Sequence, residues 1–179
     1  MAKLDDPNGP YTALVLAKAG LVRLSMGDRI TADLSPPTLL YAVSQGALAV
    51  EVRSDDSEAI EMCRKITHRE TQWKCLAERA CLRVLEGGCS VPVGVATVLE
   101  WVDTDIGILT LTGSVTSVDG QEHVEHTIEE RVSSLEEAEE MGAKLAKILI
   151  ETGARKILDD INVDRARRID EIKRDIDST

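Results

Sequence analysis

The chain has 179 residues, 43% of them hydrophobic, and a formal net charge of −11. That length suits one ordinary domain or two small ones with a real core. The acidity argues against a nucleic-acid partner, which calls for positive charge gathered on one face, and the absence of Phe, with only two Trp and two Tyr, removes the platforms on which single strands stack. No apolar run reaches the roughly 18 residues of a membrane helix, and Met1-Ala2-Lys3-Leu4-Asp5-Asp6-Pro7 lacks the apolar core of a signal peptide. The expectation is a cytoplasmic protein with neither a membrane nor a nucleic acid as partner.

In chain order, residues 1–10 read as a polar, turn-like start, and Tyr11 to Met26 as a helix rich in Ala and Leu, with Gly20 as a C-cap or a break. Leu34-Ser35-Pro36-Pro37 is a non-helical connector. Ala47 to Arg53 alternates as a strand, Leu48, Val50 and Val52 pointing one way and Ala47, Ala49, Glu51 and Arg53 the other. Ser54 or Asp55 is the expected cap of a helix from Asp56 to about Ile66, and Thr67, with Glu70 three residues on, the cap of a helix running to about Leu85. The second of these carries an apolar stripe of Trp73, Leu76, Ala77, Ala80 and Val84.

The periodicity then changes from helical to alternating. Val93 to Val102, Ile106 to Val118 and Glu122 to Val132 read as three strands of an antiparallel meander, with Asp119-Gly120 at the second turn. Ser133-Ser134-Leu135-Glu136 has the form of a capping box, opening a helix with Leu135, Ala138, Met141, Gly142, Leu145, Ile148 and Leu149 on one face and Gly153 as its stop. Ala154 to Ile161 adds a turn or two. Residues 162–179 are dense in both charge signs and read as a solvated helix or a frayed extension. Residues 61–160 thus form an α+β unit, whereas one helix, a connector and a lone strand in residues 1–60 cannot bury themselves well.

Cys63, Cys75, Cys81 and Cys89 contain no Cys-x-x-Cys pair and form no zinc spacing with His68, His123 and His126. Cys63, Cys75 and Cys81 lie in helical patterns and suit small buried positions. Cys89 differs. It stands in Leu85-Glu86-Gly87-Gly88-Cys89-Ser90-Val91-Pro92, between a helix and a strand, behind glycines that let backbone turn tightly and approach a ligand. By composition alone such a cysteine is more often packed than reactive, and no partner base is visible beside it.

That loop, together with Ala19-Gly20-Leu21-Val22-Arg23-Leu24, Val43-Ser44-Gln45-Gly46-Ala47, Glu51-Val52-Arg53-Ser54-Asp55-Asp56 and Ala77-Glu78-Arg79-Ala80, resembles the C-terminal half of the porphobilinogen deaminase (hydroxymethylbilane synthase) family, from about Tyr11 to Ile161. The resemblance implies a transferase of tetrapyrrole and haem biosynthesis that joins four porphobilinogen units on a dipyrromethane cofactor held by a thioether to Cys89. It implies porphobilinogen and the growing oligopyrrole as partners, and a monomeric full-length protein. Arg23 matches a family arginine that binds acidic side chains of cofactor or substrate, and Gln45 and Gly46 match positions beside the pyrrole-binding cleft. On their own, Arg23 reads as an exposed charge ending a helix, and Gln45-Gly46 as a polar turn.

By the same resemblance, residues 1–42 correspond to the end of a central domain and its crossover. Residues 43–60 correspond to a strand returning to an N-terminal domain, both being fragments of α/β periplasmic-binding-protein-like domains. Residues 61–161 correspond to a complete cofactor-attachment domain, and 162–179 to a charged tail. The family's catalytic aspartate has no counterpart here, so the expectation is no catalytic residue in these 179 residues and no activity from them alone. Ser25 and Ser44 stand where the family usually has glycine; Ser44 precedes Gln45, and a positive φ there would strain serine. The alternative is a non-catalytic binding or regulatory module derived from the same fold.

Overall fold

The computed structural model describes the backbone of residues 1–85 and 91–177 and the side chains as far as Arg167. It divides into two compact units, Met1–Ser35 and Pro36–Thr179.

The first unit holds two short helices, α1 (Ala2–Asp5) and α2 (Lys18–Arg23), and a 3₁₀ turn, Gly27–Arg29. None of its residues is buried. Ion pairs join Arg29 to Asp5 and Lys18 to Asp33. The helix expected over Tyr11–Met26 is confined to α2. Tyr11, Leu14, Val15 and Leu16 are exposed, so nothing offsets the cost of nucleating helix there. Gly20 lies inside α2 and is neither its cap nor a break. The helix closes at Leu24 in a Schellman arrangement: Met26 N–H donates to the Leu21 carbonyl at 2.9 Å and Ser25 N–H to Val22 at 3.0 Å.

In the second unit, residues 47–53 form no strand. The chain is extended there, but Leu48 is 99% and Val50 63% exposed and no ladder partner exists among the described residues. Two helices follow, α3 (Ser57–Ile66) and α4 (Arg69–Val84). Both caps sit beyond their expected places, Asp56 after Ser54 and Asp55, and His68 after Thr67. Asp56 caps α3, accepting from Ala59 N–H at 3.0 Å. His68 caps α4 through Thr71 N–H, while the Thr67 hydroxyl turns back to the Cys63 carbonyl at 2.8 Å and closes α3. An imidazole nitrogen can accept as a cap oxygen does, so Glu70 is released from a capping box to pair with Lys74.

The sheet is the expected antiparallel meander, in the order β1 (Val93–Asp103), β2 (Ile106–Thr116), β3 (His123–Val132). Val95 and Leu99 of β1, Leu109, Leu111 and Val115 of β2 and Val132 of β3 are buried. The opposite face of β3, with His123, Glu125, Thr127, Glu129 and Arg131, is exposed. Helix α5 (Leu135–Leu149) packs between sheet and α4 through Ala138, Met141, Leu145, Ala146 and Leu149. Its cap is Ser134, one residue later than the sequence pattern suggested: Ser134 Oγ accepts from Glu137 N–H at 3.2 Å, and the Glu137 carboxylate accepts from Ser133 N–H at 2.5 Å.

Two glycines of this layer matter. A Cβ on Gly142 would stand 1.9 Å from the Ala77 carbonyl oxygen, so α4 and α5 cross at backbone contact. Gly153, at φ 125°, breaks the axis over Ile150–Ala154 and redirects the chain into α6 (Arg155–Asp177). Ala154, Ile157, Leu158 and Ile161 of this last segment return to the core. The helix is far longer than the expected turn or two, and the stretch past Ile161 is helical as far as Asp177.

Candidate functional site

The candidate site is built on the turn over residues 41–47. Tyr41 and Val95 exchange both backbone hydrogen bonds, at 2.9 and 2.8 Å, which lays the incoming chain along the free edge of β1. At Gly94 a Cβ would come within 2.8 Å of Leu40 Cβ, so the missing side chain permits this close passage. Two successive tight turns follow, closed by Gln45 N–H to Ala42 at 3.0 Å and Ala47 N–H to Ser44 at 3.1 Å. The result presents Gln45 and Gly46 together at the exposed tip of the turn.

The turn needs left-handed backbone at two places: Ser44 at φ 58° and Gly46 at φ 81°. Glycine supplies that geometry freely; a side chain costs roughly 1–2 kcal/mol there. Ser44 is half-buried, and its hydroxyl has no hydrogen-bond partner among the described residues. Ser25, at φ 56°, has the same left-handed backbone in the first unit, in the C′ position of the Schellman arrangement where glycine is commonest. Each of these two serines therefore occupies a conformation that glycine adopts more readily.

A carboxylate that sequence reasoning did not single out holds the turn. Glu78 of α4 accepts from Ser44 N–H at 2.6 Å through one oxygen and from the Thr97 hydroxyl of β1 at 2.7 Å through the other. The available signal was its register. Glu78 directly follows buried Ala77 and lies three residues before buried Cys81, so it flanks the apolar stripe and not the wet face of the helix.

Cys89 lies outside the described residues, as do Glu86, Gly87, Gly88 and Ser90. The elements on either side are well defined: α4 ends at Val84, and β1 begins at Val93. The other cysteines are structural in setting. Cys81 is fully buried in the core, and burial, reinforced by the Glu78 charge, pushes its thiol up to about 12. Cys63 and Cys75 are half-buried on helical faces. Arg23 ends α2 in the first unit with its side chain exposed. Two of the three histidines serve local structure: His68 caps α4, and His123 Nδ1 meets the Thr116 hydroxyl across the β2–β3 pair at 2.9 Å. No cluster of three or more potential metal ligands occurs among the described residues, and no described helix is long and apolar enough to cross a membrane.

Family comparison divides the chain in two. Residues 1–61 match the porphobilinogen deaminase dipyromethane cofactor binding domain, and residues 73–151 match the porphobilinogen deaminase C-terminal domain. Arg23, Gln45 and Gly46 fall in the first match and Cys89 in the second. Among curated relatives, the chain is similar to the porphobilinogen deaminase of Yarrowia lipolytica, with 47% identity over 93% of this chain and 48% of that protein. It is likewise similar to that of Schizosaccharomyces pombe, with 48% identity over 89% of this chain and 48% of that protein. With the protein of Nostoc sp. it shares 48% identity over 90% of this chain and 47% of its counterpart. The chain spans about half the length of the curated relatives it matches.

Proposed function

Since the chain belongs to the porphobilinogen deaminase family, we propose that it supplies the cofactor-anchoring half of a hydroxymethylbilane synthase, with Cys89 as the attachment point and Arg23, Gln45 and Gly46 as the residues that receive the cofactor and the growing oligopyrrole. The observation that carries this reading is the match of residues 1–61, which hold three of these four residues, to the dipyromethane cofactor binding domain. In this reading the enzyme deaminates porphobilinogen, joins four units head to tail and releases hydroxymethylbilane, acting as a monomer in the cytoplasm.

The residues present fit a polycarboxylated dipyrrole. The exposed Arg23 guanidinium offers two parallel N–H donors to an acetate or propionate group. Gly46 leaves open space where a side chain would stand, so a flat ring can approach its backbone. Of the described cysteines, Cys81 is too deeply buried and too weakly acidic to be alkylated. Cys89 follows two glycines in the sequence, between the end of α4 and the start of β1. When bound, the dipyrromethane supplies a covalent primer, which keeps successive additions intramolecular. A thioether survives hydrolytic release of product, so a cysteine suits this anchor.

The acid–base carboxylate that the family resemblance calls for is not among the residues assigned here. The proposal is therefore that the 179 residues alone consume no porphobilinogen. Intact-protein and peptide mass spectrometry tests the anchor. The chain is expressed alone and together with the amino-terminal half of the Yarrowia lipolytica relative. A dipyrromethane-sized adduct on Cys89 in the co-expressed sample, lost in Cys89→Ala, is the expected result. A bare Cys89 thiol in both samples overturns the assignment.

A further inference from the structure

We infer that Glu78 is a positioning residue for the candidate site at Gln45 and Gly46, tying their turn to α4 and β1. The inference rests on the reading of Gln45 and Gly46 given above and adds to it a residue that positions them. Its basis is topological. Helix α4 delivers the chain to the cysteine loop and β1 carries it away, and the turn over residues 41–47 reaches both from a distant part of the sequence. One carboxylate bonds all three. It belongs to α4, accepts the Thr97 hydroxyl of β1 at 2.7 Å, and accepts the Ser44 amide of the turn at 2.6 Å.

The chemistry of that carboxylate suits the task. An ionised carboxylate is acceptor-only and can serve two donors at once, with charge-assisted bonds stronger than neutral ones. It is half-buried, where such bonds are less screened than at the surface. The bond to Ser44 falls on the residue whose left-handed φ of 58° joins the two turns and whose own hydroxyl is unpartnered among the described residues. The Glu78 bond is thus the anchor at the strained point. Without it, the Tyr41–Val95 bridge would still hold the chain at β1, but the orientation of Gln45 and Gly46 beyond it would relax.

Glutamine in place of Glu78 keeps the shape but turns one acceptor into a donor facing a donor. In the purified 179-residue chain, Glu78→Gln should speed amide hydrogen exchange at Ser44 through Ala47 by about tenfold or more, the scale of a lost charge-assisted hydrogen bond. Exchange in α5 and β2 should not change. Thr97→Val, which removes only the β1 donor, should give a smaller increase at the same amides, and Thr97→Ser should restore the wild-type rates. Titration with porphobilinogen, read as amide shifts at Gln45 and Gly46, separates positioning from simple stability: Glu78→Gln should weaken the response and Thr97→Ser should keep it. Unchanged exchange at Ser44–Ala47, or an increase spread evenly through α5 and β2, overturns the tie. A porphobilinogen response equal in wild type and Glu78→Gln overturns the positioning role. If wild type shows no response to porphobilinogen, the reading of Gln45 and Gly46 falls and the positioning role falls with it, while the exchange data still decide the tie.

Discussion

Residues 47–53 and β1 have similar local chemistry: an alternating run of small, β-branched and polar residues with an apolar face. In β1 that face is covered, with Leu99 6% exposed and Val95 buried, and every residue but Val102, at a register shift, has a ladder partner on β2. In residues 47–53 the same kind of face stands open, and the backbone is extended without a ladder. Alternation specifies which side of a strand is apolar. It does not supply the neighbour that satisfies the backbone, and β structure forms only with one. The contrast extends along the chain, for no residue before Trp73 is buried, whereas the layers from α4 to Ile161 hold a continuous core.

The contrast can be broken most sharply at Gly142. Gly142→Ala forces a methyl into the Ala77 carbonyl and should lower stability by about 3 kcal/mol, seen as a large drop in the urea midpoint; a wild-type midpoint would mean that the α4–α5 crossing is looser than described. Next in size is an alkaline effect. Cys81 is raised to about 12 when folded, against roughly 8.5 when unfolded. The unfolded state therefore releases this proton first, so the stability that Cys81 contributes is complete below about pH 8.5 and is lost as pH rises toward 12. Denaturation midpoints followed upward from neutral pH should fall, and Cys81→Ala should flatten the fall. An unchanged slope would show that other groups control it.

Ser134→Ala removes the cap of α5 and should cost about 1 kcal/mol in the same urea measurement. Leu48→Ser, on the open segment, should lie within about 0.5 kcal/mol of wild type. A loss as large as that of a core leucine in thermal unfolding would show that residues 47–53 are packed after all.

The layered half was legible because its signals were both local and redundant. Three alternating runs, an Asp-Gly turn and an amphipathic helix after a Ser-rich cap agree only with an antiparallel meander covered by a helix. The caps were misplaced by one residue wherever two neighbours could serve. Ser133 and Ser134 differ only in which hydroxyl faces the helix N-terminus, and an imidazole at His68 displaces the expected Thr67. Residues 11–26 misled because Ala and Leu favour helix in isolation but gain nothing from it when no surface covers them. Of the candidate site, the turn at Gln45-Gly46 was visible as chemistry, since glycine there announces a reversal. Glu78 was not, because its role depends on a partner 34 residues away, and no local pattern encodes that pairing.

The bridge between Tyr41 and Val95 has a further consequence, for how copies of the molecule meet one another. A three-stranded sheet has two bare borders, each able to recruit a strand from another copy. Along β3 that hazard is met with charge, since His123, Glu125, Glu129 and Arg131 crowd its outer face and Lys144 pairs with Glu130 beside it. Along β1 it is met by the chain itself: residues 40–41 lie against Gly94 and Val95, and the Glu78 carboxylate takes up the Thr97 hydroxyl a little further on. The contact that presents Gln45 and Gly46 thus also occupies this border at Val95 and shortens the stretch of it that another copy could pair with.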